Sequence, residues 1–338
     1  MKRIKLIKIV VCFFAFICVF LGYKKYNGYK IILNASNQPP IIFAADFNSG
    51  DKGTFKYNVK TSKAEKISDY IFHELSYSDD YEKIIGVIWE DRFHGIAELD
   101  IRHYLFRPIV DLEELNKCAK SIGLDDIKYQ MQGVTDIHMP KFYKGGYTFF
   151  WKDSRDVICY FYKENDAPEM EVLYKTDHGN YSYFIKEGND KDLLFVESRH
   201  EIYNQKIERT NINKNNLETL GDEELLITSR KNFSNSTGNM DVSNDTNRIV
   251  YYQKPNISIY DIDKNSKINI NSQYLFWQDI VYIKFSQNER YVFYAVGNIP
   301  FFWADGYRLI FYIVDSKTGN KIQLDKWKNG DTFYGVDW

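Results

Sequence analysis

Proline is scarce in this chain, with 7 in 338 residues, and cysteine scarcer still, with 4. Four cysteines cannot build a disulfide framework for a chain of this length. Cys12 and Cys18 fall in an apolar run near the N-terminus, which leaves Cys118 and Cys159 in the body. These two read as free thiols, Cys159 inside a strand core, with a single bridge as the alternative. The six histidines, His73, His94, His103, His138, His178 and His200, show neither the spacing of a zinc helix nor a neighbouring cysteine cluster. No Gly-x-Ser-x-Gly elbow and no glycine-rich phosphate loop occur. One Ser-x-x-Lys match, Ser49 to Lys52, lies in a glycine-containing turn, not on a helix that would set the lysine beside the serine. Asp261-x-Asp263-x-Asn265 opens like a calcium loop, but Ser272 stands at its twelfth position and Ser266 where glycine is needed. A repeated turn accounts for it better. The sequence therefore points to no cofactor and no metal.

A basic stripe is missing as well. The net charge is −2, and residues 1–30 hold seven basic side chains and no acids, so residues 31–338 carry −9. An acidic body argues against nucleic acid.

Long apolar runs are absent except for Ile9–Gly22, preceded by Lys2, Arg3, Lys5 and Lys8. At 14 residues it falls short of the about 20 that a membrane span needs, unless Leu6 and Ile7 join it with Lys8 snorkelling. The expected organisation is a basic cytoplasmic tail (1–8), a transmembrane anchor (9–23), a linker (24–38) and a folded body (39–338). Phe20-Leu21-Gly22-Tyr23 offers no small-x-small cleavage site, although a cleaved signal peptide remains the alternative. The basic excess before the run places the body outside the cytoplasm, on a single-pass cell-membrane protein.

What the chain does have is aromatic residues, 17% of the total, which favour strands. It also has a repeat. An Asp, Asn or Lys precedes an apolar residue by nine positions, six times: Asn58 to Ile67, Asp100 to Ile109, Lys163 to Val172, Asn211 to Leu220, Asp261 to Ile270 and Asp315 to Leu324. The steps between copies run from 42 to 63 residues. A period of about 40 to 50 with strand-like units indicates propeller blades.

Three turns recur one hairpin earlier. Ser78-Asp79-Asp80 leads to Ile84, Ser243-Asn244-Asp245 to Ile249, and Ser286-Gln287-Asn288 to Val292. Serine and Asp/Asn at these offsets close tight hairpins through side-chain to backbone bonds. The expected strands include Ile84–Trp89, Ile249–Gln253 and Val292–Val296, then Ile96–Leu99, Ile257–Tyr260 and Leu309–Val314. Each unit is then a four-stranded antiparallel meander. These residues resemble the TolB-like six-bladed β-propellers, which repeat Ser-Pro-Asp-Gly before the second strand and an aspartate before the turn to the fourth. Here the Pro and Gly are missing from all three turns. The resemblance covers roughly residues 39–338 and implies an all-β, six-bladed propeller, with seven blades as the alternative; it implies no activity.

Asp331–Trp338 aligns with Asp279–Ser286, an innermost strand, whereas Ile41–Phe47 begins a blade that lacks one. The C-terminus is therefore expected to close the ring. The insertions carry the functional expectations. Asp111–Leu124 reads as a short helix capped by Asp111 and ended by Gly123, with Leu112, Leu115, Cys118, Ala119 and Ile122 on one face. Gly221–Asn239 reads as a polar loop. Asn298–Arg308 presents Phe301, Phe302, Trp303, Asp305, Tyr307 and Arg308 as an aromatic anchor for a partner, or as a plug for the channel. Arg92, His94 and Arg155, from loops between second and third strands, are expected on the same face. The functional expectation is a membrane-anchored, non-catalytic module that binds a protein, peptide or glycan. The alternatives are a hydrolase or lyase acting on cell-surface polymers from a channel site, and a structural subunit of a membrane complex.

Overall fold

The computed structural model describes residues 2–90, 92–127, 137–152, 156–164, 167–176, 179–187, 192–201, 204–212, 219–230, 240–253, 256–271, 278–298, 309–327 and 331–338. They form six four-stranded antiparallel sheets, as the repeat predicts. The first blade takes residues 41–68 plus the C-terminal strand Thr332–Asp337. The others span 73–111, 137–176, 179–230, 240–271 and 278–326. The innermost strands of blades two to six are His73–Tyr77, Ile137–Tyr143, Gly179–Lys186, Met240–Val242 and Gln278–Phe285.

The repeat residues work locally. The Asn58 carboxamide accepts from the amides of Lys60 and Thr61, and the Asp100 carboxylate from Arg102 and His103. Asp315 does the same for Lys317 and Thr318. Each turns the chain into its outermost strand with an Asx turn. Asp261 accepts from the Lys264 amide at 3.0 Å, so the calcium-like triplet is the same turn.

The three Ser-x-Asp/Asn turns share another device. Ser78 Oγ donates to Asp80 and accepts from the Lys83 amide, and the Ser243 and Ser286 turns repeat both bonds. The residue after each Asp or Asn lies in the left-handed region: Tyr81 at φ 58°, Thr246 at 59° and Glu289 at 57°. The family pattern has glycine at this position. A β-branched side chain is the most strained of the three. Left-handed backbone costs a non-glycine residue about 1–2 kcal/mol, while glycine loses up to about 1 kcal/mol more chain entropy on folding. Thr246→Gly should therefore stabilise the protein by about 0.5–1 kcal/mol, read as a raised melting temperature. An unchanged or lowered value would show that the turn carries no strain.

The helix expected after Asp111 is present as Leu112–Ser121. Asp111 accepts from the Glu114 amide, and Leu115, Cys118 and Ala119 are buried. At its end Gly123 takes φ +77°, and the amides of Gly123 and Leu124 reach the carbonyls of Lys120 and Ala119, a Schellman ending. Cys118 and Cys159 are both buried, and neither forms a disulfide among the described residues.

Two stretches differ from expectation. The N-terminal helix runs from Lys2 to Ala35, so most of the stretch read as a linker is helical. Its C-terminal part docks on the body, with Ile31 and Ala35 buried in the cluster that joins blades one and six. Among the described residues no helix is long and apolar enough to cross a membrane. Thr219–Arg230 is the outermost strand of blade four, paired with Asn204–Ile212, so the loop read from Gly221 starts too early. Leu225, Leu226 and Ile227 carry the strand propensity that the polar Gly221-Asp222-Glu223-Glu224 obscures.

The aromatic excess is spent between the blades. Phe43 lies within 5.3–6.3 Å of the rings of Phe47, Phe55, Phe311, Trp327 and Phe333. Edge-on, tilted and offset-stacked packing of this kind adds to the burial energy. The cluster sits where the ring closes.

Candidate functional site: the axial channel

The innermost strand of each blade borders the propeller axis, and side chains along it alternate between the two faces of its sheet. Five of the six innermost strands approach their ends with a polar residue followed by an apolar one: Ser76-Tyr77, Lys141-Phe142, Asp241-Val242, Lys284-Phe285 and Asp337-Trp338. Blade four has Phe184-Ile185 instead. Going round the axis from blade one, the order is Asp337, Ser76, Lys141, Phe184, Asp241, Lys284. All six line one cavity of about 90 Å³ at the channel mouth. Residues of the serine turns, Ser78, Asn244 and Ser286, line it as well, so it reaches the turn face of the propeller.

Lys284 Nζ pairs with Asp337 at 3.1 Å. The other Asp337 oxygen accepts from the Tyr77 amide at 2.8 Å, and Asp241 accepts from the Phe285 amide at 2.8 Å. Burial pushes each of these groups towards its neutral form, and the neighbours decide the outcome. For Lys284 the two aspartates outweigh burial, and its pKa is raised. For Asp337 burial is outweighed by Lys284, Lys141 and the Tyr77 amide, and its pKa is lowered. For Asp241 burial wins, helped by Asp337, and its carboxyl is pushed up.

Deeper in the channel Glu74 and His138 pair at 2.8 Å, and the second Glu74 oxygen accepts from the Met139 amide at 2.8 Å. Glu74 and Met139 sit at φ 48° and 51°, at register shifts in their strands. This is local strain held at a site. Burial alone would raise the Glu74 pKa, but His138, the Met139 amide and Lys152 bring it below the ordinary value. His73 stacks obliquely on Tyr334, with ring centroids 4.6 Å apart. Burial pushes its imidazole down to about 4 against an ordinary 6.5, with Glu74 opposing only in part.

The sign of the His73 effect follows directly. Between pH 6.5 and 4 the unfolded chain takes up a proton that the folded chain refuses. Stability should therefore fall as the pH drops through that window, by up to about 3 kcal/mol. Urea unfolding of His73→Gln between pH 7 and 4 should show a flatter profile than the natural protein. Parallel profiles would contradict the buried neutral imidazole.

The residues singled out from the sequence are placed differently. Phe301, Phe302, Trp303, Asp305, Tyr307, Arg308 and Arg155 lie outside the described residues. Arg92 is exposed in the hairpin between the second and third strands of blade two, and His94 pairs across that hairpin with Trp89. The Arg92 hairpin lies at the opposite end of its blade from the Ser78 turn. Sequence reasoning missed the channel groups, treating His73 and His138 as scattered. The readable signal was the polar–apolar ending of the innermost strands. A second cleft, about 450 Å³, separates the N-terminal helix from blade six, with Asn27, Asn34 and Asn37 facing Asn288, Arg290 and Asp315. Arg290 and Asp315 are paired there at 2.5 Å. Among the described residues no three metal-ligating side chains converge.

No protein-family model and no curated protein matches the chain. Solved structures do. TolB from Acinetobacter baumannii superposes with a TM-score of 0.53 at 13% identity, over 88% of this chain and 67% of that one. The fold is that of the TolB-like six-bladed propellers. A protein described as TolB from Agrobacterium tumefaciens gives a TM-score of 0.45 at 10% identity, over 88% of this chain and 97% of its own. One described as a 6-phosphogluconolactonase from Bacteroides uniformis gives 0.47 at 10% identity, over 85% and 82%. At these identities the likeness concerns the fold. The ring here has Tyr81, Thr246 and Glu289 where the resembling turn pattern has glycine.

Proposed function

We propose that this TolB-like propeller is a non-catalytic binding module for a protein, peptide or glycan, tethered to the cell membrane by its N-terminal helix with the body outside the cytoplasm. One observation carries the binding reading over a catalytic one: the channel carboxylates are committed to structure. Glu74 holds His138 and the Met139 amide, Asp337 holds Lys284 and the Tyr77 amide, and Asp241 holds the Phe285 amide. Groups tied across blades in this way stiffen a scaffold, and a stiff scaffold suits recognition by its loops. The loop bearing Phe301, Phe302, Trp303, Asp305, Tyr307 and Arg308 is the proposed contact, with Arg92, His94 and Arg155 beside it. The basic flank and apolar run of residues 2–22 support the tether.

The test is a pull-down from crosslinked native membranes, comparing the intact chain with one whose residues 298–308 are replaced by Gly-Ser. A protein captured only by the intact chain supports the module and its face. Equal capture by both, or turnover of a cell-surface polymer by the purified protein, overturns the reading. Protease added to intact cells should digest the body; full protection would reverse the topology.

A further inference from the structure

We propose that the channel mouth on the serine-turn face binds a monocarboxylate group, held by Lys141 and the Ser76 hydroxyl, with a short apolar tail against Phe184. The argument is one of position round the axis. Both carboxylates of this level flank Lys284, Asp337 on one side and Asp241 on the other. Lys141 stands across the channel, separated from Asp337 by Ser76 of blade two and from Asp241 by Phe184 of blade four. It makes no ion pair or hydrogen bond among the described residues. Its contacts are with the rings of Tyr183 and Phe184, each 5.8 Å from Nζ. A half-buried ammonium with three donors and no acceptor is an incomplete arrangement. A carboxylate on Lys141 completes it.

The cavity selects the ligand. About 90 Å³ holds a few waters or a group the size of acetate or propionate, with any larger remainder of the ligand left in the open mouth. Lys141 feels Asp241 and Asp337 only at a distance, and its one ammonium matches one negative charge in direct contact. A phosphate dianion would meet the same single lysine with Asp241 and Asp337 close by. Phe142, Ile185 and Val242 supply apolar wall. The groups facing Lys141 from the other elements are Lys284, Asp241, Asp337, Tyr77, Tyr81 and Asp79. Burial, with Lys284 adding to it, brings the Lys141 pKa to about 8, so the ammonium form prevails at pH 7 and is lost above pH 8. Tyr77 and Tyr81 are both raised and stay neutral across that range. Asp79 is paired with Lys186 at 3.2 Å. The site stands whether or not the proposed partner loop binds anything.

A carboxylate of this kind comes from a small free acid or from a peptide C-terminus, and calorimetry on the full chain separates the two. The probes are propionate, N-acetyl-Ala-Ala with a free carboxylate, and the same peptide as its C-terminal amide. At pH 7 at least one acid should bind, and the amide at least about tenfold more weakly than the peptide acid where that acid binds. Binding of propionate marks a small-acid site; binding of the peptide acid alone marks a C-terminus site. Lys141→Met should weaken the acid that binds at least about tenfold. In the natural protein its affinity should fall by about tenfold per pH unit above pH 8. The pH series needs no variant, so it decides the matter if Lys141→Met fails to fold. Absence of saturable heat with both acids, equal affinity for peptide acid and amide, unchanged binding in Lys141→Met, or a flat profile from pH 7 to 10 would overturn the proposal.

Discussion

Deleting Thr332–Trp338 is expected to abolish soluble folding. This segment is the innermost strand of the first blade, paired along Ile42–Asp46, and without it that blade presents an open edge to the channel. The loss reaches further than one strand. Val336 and Trp338 are each only 3% exposed, and Trp338 Nε1 donates to the Pro39 carbonyl at 2.8 Å, which fixes the chain as it enters the ring. Burial of two such side chains is worth about 4 kcal/mol. Asp337 leaves with them, stranding Lys284 and Lys141 in the channel with one carboxylate fewer. Breaking a buried pair costs about 3–5 kcal/mol. Together these losses approach the whole stability of an ordinary domain, about 5–15 kcal/mol. Soluble yield and the far-ultraviolet dichroism of the truncated chain check the expectation. A soluble product that melts like the full chain would sink the closure.

Lys284→Met should destabilise the protein by about 3–5 kcal/mol, because it leaves Asp337 and Asp241 facing each other without the cation between them. The double variant Lys284→Met with Asp337→Asn should recover a good part of that loss, since removing both charges leaves no buried charge unpaired. The pH dependence follows from the shifts. The folded Asp337 pKa lies below 3.8, so its contribution is present above that value and fades as the pH falls through the folded pKa. The folded Lys284 pKa lies above 10.5, so its contribution is intact below that value and lost as the pH rises through the folded pKa. Between pH 5 and 9 neither of these two groups changes its contribution. Denaturant midpoints of the natural protein and the two variants at pH 7 are the check. A Lys284→Met variant as stable as the natural protein would show that the pair contributes nothing to the ring.

The features readable in the sequence are those built from neighbours. Asn58, Asp100, Asp261 and Asp315 recur because each closes an Asx turn on amides two or three residues ahead. Ser78, Ser243 and Ser286 recur because each closes its own hairpin. The Asp111 helix follows from its cap and its Gly123 ending. The closing strand was legible too, but one residue out of step. Asp337, opposite Ile42, occupies the place that Lys284 holds opposite Phe293, not the Phe285 place that aligning Asp331–Trp338 on Asp279–Ser286 implies.

The channel was not legible for the opposite reason. Asp337 meets Tyr77 across 260 residues of chain, and no local spacing encodes such a meeting. Lys141 and Asp241 lie in strands whose apolar neighbours dominate the pattern. Residues 24–35 were hidden by their charges, because Ile31 and Ala35, one turn apart, are what dock this helix on the body. The loop residues Phe301 to Arg308, which the sequence put forward most strongly, fall outside the described residues, and their role rests on the pull-down.

The most direct test of a closed six-bladed ring is an engineered disulfide across the closure. Ala45 and Phe333 are partners in the first blade, on strands from the two ends of the chain; Cys118 and Cys159 are buried, and Cys12 and the exposed Cys18 are replaced by serine so that they do not compete. In Ala45→Cys with Phe333→Cys, mild oxidation should give an intramolecular bond in nearly all molecules, read as loss of both thiols and a linked peptide by mass spectrometry. Free thiols under those conditions, or links formed only between molecules, would contradict a ring closed by its C-terminal strand.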